Sequence, residues 1–173
     1  FRSRSDIRNS KEFESALKTA APDILIHMAA QPLVREGYRD PMTTFETNVN
    51  GTLNVLQASA TCESVKAQVI ITTDKVYRNR NQRAGYVEND ELGGDDPYSA
   101  SKAMADILTQ SWIKSFPKIP TAIARAGNVI GGGDVSKDRL FPDLISSFAA
   151  GKPVILRYPK AVRPWQHVLD CVD

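Results

Sequence analysis

Residues Gln68–Tyr77 read QVIITTDKVY. An apolar run ends in two threonines, an acid and a base follow side by side, and the chain then turns apolar again. A short continuous apolar run of this kind is the pattern of a strand buried on both faces, as in a parallel sheet. Neighbouring residues on a strand point to opposite sides. Asp74 and Lys75 are therefore poorly spaced for a simple ion pair and better spaced to reach different atoms of one ligand.

Working outward, strand and helix signals alternate. Pro22–Met28, PDILIHM, is a second apolar run suited to a buried strand. Asp40-Pro41 supplies an N-cap and a first-turn proline. Phe45, Val49, Leu53 and Leu56 then recur at helical spacing, which predicts a helix over Pro41–Ala60. Asp96-Pro97 repeats the device and predicts a helix to about Ser115. Arg78–Gly94 is polar, contains glycine and reads as a surface loop. Ala122–Arg125 reads as a third strand broken by Gly127, Pro142–Ala149 as a short helix, and Val154–Arg157 as a last strand. The pattern predicts an α/β fold with a doubly wound parallel sheet. Ligands of such sheets bind beyond the carboxyl ends of the strands. Ala29-Ala30-Gln31, Thr72–Lys75 and Ala126-Gly127-Asn128 lie at such ends and suggest one crevice.

The chain has 173 residues and a formal net charge of +2. That length suits one domain with a sizeable core, and that charge does not suggest a nucleic-acid surface. There is no low-complexity segment, internal repeat, membrane-length apolar stretch or visible signal peptide. Cys62 and Cys171 are far apart and have no metal-like spacing, so they read as reduced thiols of a cytoplasmic protein. No metal site is expected. FRSRSDIRN begins without Met and HVLDCVD stops inside an apolar-periodic segment. The sequence is therefore expected to be truncated at both ends.

Four constellations carry chemistry. In YSASK, Tyr98–Lys102, the phenol and the ammonium stand at i, i+4 on one helical face. A nearby ammonium favours tyrosinate and lowers the phenol from its usual pKa of about 10, so Tyr98 suits proton abstraction from a hydroxyl. The plain alternative is an exposed helical pair. In TTDK, Thr73 suits a hydrogen bond to the same hydroxyl, and the alternative for Asp74-Lys75 is a solvated turn. In HMAAQP, His27–Pro32, the small residues permit close approach of a ligand to the backbone or simply close packing, and His27 reads as a packed strand residue. Arg139, Arg157 and Arg163 suit diphosphate recognition by planar, permanently charged groups, or are ordinary surface arginines. Gly131–Asp134, GGGD, lacks both the G-x-G-x-x-G spacing and the P-loop lysine, and reads as a loop.

Taken together, HMAAQ, TNVNGTLNVLQA, TTDKVY, YSASK, ARAGNVIGGGD and RPWQHVLD resemble the extended short-chain dehydrogenases/reductases that act on nucleotide sugars. Within them the chain is most similar to the CDP-glucose 4,6-dehydratases, through Asp-Lys after Thr73, QPLVREGYRDP and RPWQHVL. The related dTDP-glucose dehydratases usually carry Asp-Glu after that threonine. The glycine-rich pyrophosphate fingerprint of the family's first strand-helix unit is absent, as is the rest of its substrate lobe. Activity is therefore expected of a longer chain than these residues alone. The resemblance implies a Rossmann-like NAD(P)-binding fold. Residues 1–135 would form part of the NAD-binding domain, and 136–173 the start of the substrate region.

The resemblance further implies NAD as cofactor, contacted by Asp6, Ile7, Ala29, Ala30, Gln31, Asn48, Thr72, Tyr98 and Lys102. The substrate would be a nucleotide sugar, CDP-glucose, held by Asn128, Arg139, Arg157 and Arg163. The partner would be a second copy, joined through a four-helix bundle of the two long helices, with no nucleic acid or membrane involved. Thr73, Asp74, Lys75, Tyr98 and Lys102 would be catalytic, with Asp74 as acid and Lys75 as base in a water elimination. Lys75 must then be neutral, which requires its pKa to fall from about 10.4, and Asp74 must be protonated. A UDP-N-acetylglucosamine 4,6-dehydratase, a 4-epimerase and a non-catalytic NAD-binding homologue are the alternatives.

Overall fold

The computed structural model describes residues 2–136 and 138–173. The chain divides into two compact units at Arg125/Ala126. In the first, the described elements are α1 (Ser10–Ala20), β1 (Ile24–His27), α2 (Val34–Arg39), α3 (Pro41–Phe45), α4 (Gly51–Thr61), β2 (Ala67–Thr73), α5 (Pro97–Ser115) and β3 (Thr121–Ala126). The sheet order is β1-β2-β3. β1 and β2 run parallel, with Ile24 opposite Ala67 and His27 opposite Ile70. The strands thus alternate with helices around a parallel sheet, the Rossmann-like arrangement the sequence predicts.

The helix starts are where the sequence places them. Asp40 and Asp96 each accept from the backbone N–H three residues on, at 2.9 and 3.0 Å, and Pro41 and Pro97 follow. Each such cap contributes about 1 kcal/mol. In this unit the sequence reading omits two helices. α1 is opened by a reciprocal box in which Asn9 Oδ1 accepts from the Glu12 N–H and Asn9 Nδ2 donates to the Glu12 carboxylate, a signal legible as N-x-x-E. α2 lies inside QPLVREGYRDP and has no side-chain cap.

Between α3 and α4 the helix widens into a π turn over Glu46–Asn50. Such turns displace the helical face. The predicted apolar stripe is only partly the buried one: Leu56 is fully buried, Phe45 and Val49 are half-buried and Leu53 is exposed, while Thr44, Asn48, Thr52, Val55 and Ser59 are buried as well. α5 buries Ser99, Ser101, Lys102, Ala103, Ala105, Asp106 and Thr109, while Met104 and Ile107 are 48% and 54% exposed. The apolar core of this unit is Ile7, Leu17, Leu25, Val55, Ala58, Cys62, Val65 and Ile119, with Phe13 against it. Leu25 and His27 of β1 point inward; Ile24 and Ile26 on its other face are exposed.

After β2 the chain makes one 3₁₀ turn, Asp74–Val76, then a long excursion that returns beside its start. A Tyr77–Leu92 bridge closes the excursion, with Arg78 N–H donating to Glu91 O and Gly93 N–H to Val76 O. At Gly94 a Cβ would lie 2.3 Å from the Ala100 nitrogen, so only glycine lets the loop end rest on the first turn of α5.

In the second unit, β4 (Asn128–Ile130) and β5 (Trp165–His167) run parallel, joined through α6 (Leu140–Ala149) and followed by α7 (Val168–Val172). Phe141 packs edge-on against Trp165 at 5.0 Å. Val154–Arg157, expected as a strand, is irregular; the second strand of this unit is Trp165–His167. Val154–Arg157 is a β-prone run that finds no pairing partner here, the tertiary override to which short apolar stretches are prone.

Candidate active site

The carboxyl end of β2 and the first turns of α5 bring together the five residues expected to be catalytic. Asp74 and Lys75 do not sit on a strand. The strand ends at Thr73, which caps the 3₁₀ turn: its hydroxyl donates to Asp74 Oδ1 at 3.1 Å and accepts from the Lys75 N–H at 3.4 Å. Successive residues of such a turn are rotated by about 120°. The acid and the base therefore diverge through a helical turn and not through strand alternation. Both are half-buried.

The Lys75 ammonium lies 5.8 Å from the centroid of the Tyr98 ring. Tyr98 is in the first turn of α5, where Gly37 of α2 passes close enough that a Cβ there would lie 3.3 Å from the Tyr98 nitrogen. One turn on, Lys102 is 5% exposed and its ammonium donates to Ile71 O at 2.8 Å. The exposed-pair alternative for YSASK is therefore excluded. Burial lowers the Lys102 pKa to about 8, partly opposed by the Asp106 carboxylate.

Beneath this group lies a polar lattice. Asn48, carried by the π turn, accepts from the Gln31 N–H at 2.8 Å and donates to Gln31 O and to Ser101 Oγ. Ser101 Oγ in turn donates to Tyr98 O. Asn48 therefore ties the segment after β1 to the turn that bears Tyr98. Ala29 is exposed and Ala30 half-buried, leaving their backbone approachable. Thr72 is buried and donates to Asp106. Asp6 is held by Arg8 through paired hydrogen bonds, the shortest 2.7 Å, and lines a shallow depression with Asn9 and Glu46. Ile7 packs in the core, its carbonyl accepting from Asn54.

His27 is packed, as its place in the strand predicts, but its neighbours give it a definite protonation state. Thr52 Oγ1 donates its one hydrogen to Asn48 O, so it accepts from His27 Nε2–H at 3.0 Å. Burial, with the charge of Lys102, lowers the His27 pKa to about 4. The folded value is below the unfolded one, so the unfolded chain takes up the proton first as the pH falls. Stability is expected to fall between pH 6.5 and 4 by up to about 3 kcal/mol from this group alone. His27→Gln, which keeps a donor for Thr52 without a titrating ring, should flatten that part of the curve in urea unfolding at pH 7 and pH 4.5. An identical pH slope in the variant would remove His27 from the account.

The residues expected to hold substrate lie in the second unit. Asn128 opens β4, its N–H donating to Pro164 O. Arg139 occupies the N-cap position of α6. Arg157 pairs with Asp138 at 3.1 Å and with Asp143 at 3.6 Å. Arg163 is exposed and donates to the neighbouring Val162 carbonyl. Among the described residues no cluster of three or more His, Cys, Asp or Glu could hold a metal ion. No helix among them is long and apolar enough to cross a membrane. Asp106, Arg125 and Tyr77 went unread in the sequence; the i+4 carboxylate after Lys102 was the available signal.

Comparison with known proteins places this geometry in context. The model of the NAD dependent epimerase/dehydratase family matches residues 2–173. A CDP-glucose 4,6-dehydratase of Salmonella typhimurium is 45% identical over 95% of this chain and 48% of its own length. A dTDP-glucose 4,6-dehydratase of Haemophilus influenzae is 28% identical over 97% of this chain and 52% of its own. Among solved structures, a dTDP-glucose 4,6-dehydratase double mutant from Streptomyces venezuelae with NAD bound superposes with a TM-score of 0.85 at 26% identity, over 96% of this chain and 50% of that one. A UDP-glucuronic acid 4-epimerase from Bacillus cereus gives 0.85 at 26%, over 98% and 52%. The chain thus spans about half the length of these relatives.

Proposed function

The chain belongs to the NAD dependent epimerase/dehydratase family, and on that footing we propose that the full-length protein is a nucleotide-sugar 4,6-dehydratase converting CDP-glucose to CDP-4-keto-6-deoxyglucose. The observation that carries this reading is the Asp74-Lys75 turn beside Tyr98, with the Lys75 ammonium 5.8 Å from the ring. A 4-epimerase has no use for an elimination pair there. The 45% identity to a CDP-glucose 4,6-dehydratase supports the nucleotide.

Tyr98 takes the proton of the C4 hydroxyl, which Thr73 orients. Lys102, with its pKa lowered to about 8, stands one helical turn away and holds the cofactor ribose. The resulting C4 ketone acidifies the C5 hydrogen. Lys75 acts as the base that removes that proton, and Asp74 as the acid that gives one to the C6 hydroxyl, which leaves as water. The chemistry NAD supplies when bound is a reversible two-electron exchange, out of C4 and back into C6, so that none is consumed. The donor set present fits it: a buried ammonium one helical turn from a tyrosine, and small residues at a strand end. Asp6, Ile7, Ala29, Ala30, Gln31, Asn48 and Thr72 complete its proposed contacts. Asn128, Arg139, Arg157 and Arg163 are proposed to hold the nucleotide diphosphate. Residues 1–135 would then serve NAD and 136–173 begin the substrate region, in a cytoplasmic enzyme.

Incubating full-length protein with NAD and CDP-glucose should yield the ultraviolet absorbance of a 4-keto sugar in base. Turnover of UDP-N-acetylglucosamine alone would reassign the nucleotide, and a C4 epimer without dehydration would overturn the dehydratase reading.

The homodimer reading is supported by exposed apolar residues on α4 and α5. Leu53, Met104 and Ile107 are large, apolar and exposed. Two copies packing these helices as a four-helix bundle would bury them. Sedimentation of the full-length protein should show a dimer at micromolar concentration, and Ile107→Glu should shift it to monomer. A monomeric wild type would end this reading.

A further inference from the structure

We propose that the buried Asp106–Arg125 ion pair is the positioning element of the Asp74-Lys75 turn, acting through Thr72 on one side and Tyr77 on the other. Asp106 is fully buried, and Arg125 grips it with two parallel bonds, Nε to Oδ2 at 2.8 Å and Nη2 to Oδ1 at 2.9 Å. Gln110 Nε2 adds a bond to Oδ1 at 2.7 Å. Thr72 Oγ1 donates to Oδ2 at 3.0 Å. Burial pushes the Asp106 carboxyl up, but its bonds from Arg125, Gln110 and Thr72 outweigh that and hold it below the ordinary range. Arg125 has one nitrogen left, Nη1, and it donates to Tyr77 Oη at 3.0 Å and to Glu88 O at 2.8 Å.

The two residues immediately flanking Thr73–Val76 are thus fastened to a single ion pair. Such a pair is poor evidence of net stabilisation, because desolvation offsets its attraction. Its planar, two-pronged geometry instead fixes directions. Here it sets where the turn begins and where it ends. Arg125 also lies 5.0 Å from the Tyr77 ring, which stacks on Tyr86 at 5.0 Å, so the excursion after the turn is held by the same guanidinium. The divergent aim of Asp74 and Lys75 depends on that turn. Misplacement of a general acid or base by a fraction of an ångström lowers its step steeply, whereas Tyr98 and Lys102 are held independently through Ser101, Asn48 and Ile71 O.

This inference rests on the reading of Asp74 and Lys75 as the elimination pair. Removing Arg125 outright would strand a buried carboxylate and risks unfolding, so the primary variant is Tyr77→Phe, which deletes one hydroxyl and keeps the ring. In full-length protein with NAD and CDP-glucose, we expect exchange of the C5 hydrogen with solvent deuterium to fall about tenfold. Oxidation at C4, read by borodeuteride trapping of the 4-ketohexose, should stay within about twofold of wild type. Arg125→Lys, which keeps the charge and loses the fork, should show the same split more strongly. Without substrate, amides Asp74–Tyr77 should exchange with deuterated solvent several-fold faster in Tyr77→Phe. Equal loss of both half-reactions, or no loss of either, overturns the positioning role. Unchanged amide exchange overturns the tether itself. A wild type that dehydrates no nucleotide hexose overturns the elimination reading, and the amide measurement then still decides whether the ion pair holds the turn.

Discussion

Replacing Tyr98 by Phe is expected to abolish oxidation at C4 in the full-length protein. On the proposed reading the phenol takes the C4 hydroxyl proton, and loss of a general base costs on the order of 10²–10⁴-fold. The ring remains, so its place 5.8 Å from the Lys75 ammonium is retained. Borodeuteride trapping should find no 4-ketohexose, and neither C5 exchange nor water loss should follow, because both require the ketone. The folded state should be unaffected in thermal unfolding. A variant that traps 4-ketohexose at the wild-type rate would show that another base serves C4.

Lys75→Ala is expected to stop the reaction one step later. Tyr98 and Lys102 would still oxidise C4, so the trapped 4-ketohexose should appear with its C6 hydroxyl intact. Exchange of the C5 hydrogen with solvent deuterium should fall by roughly 10²–10⁴-fold. Asp74→Asn should differ from it: C5 exchange survives while release of the C6 hydroxyl slows. Two blocked states, separable by where deuterium enters, are the signature of an acid and a base with separate duties. Wild-type C5 exchange in Lys75→Ala would leave the pair as a positioning element only.

Much of this was legible from the chain alone. The strand before TTDK, both Asp-Pro helix starts and the place of Tyr98 and Lys102 on successive turns of one helix follow from local rules: a continuous apolar run, a capping carboxylate, and a four-residue helical repeat. The failures share a cause. The buried faces of the π turn, α4 and α5 include Asn48, Thr52, Ser101, Lys102 and Asp106 beside apolar Val55, Leu56, Ala103 and Ala105, because each of these polar groups finds a hydrogen-bond partner. A reading that assigns only apolar residues to the interior therefore misses these positions. The π turn adds its own displacement, and no residue in ETNVN announces it. Likewise, the divergence of Asp74 and Lys75 was anticipated but ascribed to a strand; the Thr73 cap that bends the chain into a 3₁₀ turn is a tertiary outcome. Asp106 and Arg125 are separated by the rest of α5 and the approach to β3, so only folding reveals that they meet.

The closure of the excursion at Tyr77–Leu92, and its close seating at Gly94 on α5, also separate the fate of its tip from that of its base. Asn81–Gly85 is exposed throughout, and Asn81 already adopts a left-handed backbone. Lengthening a flexible tip is cheap, about 0.6 kcal/mol for each doubling. The span from Tyr77 to Gly93 is fixed by the bridge and the Arg125 tether, whatever lies beyond them. Sequence can therefore be inserted or exchanged at Asn81–Gly85, where new recognition elements could evolve, while the acid and the base keep their aim.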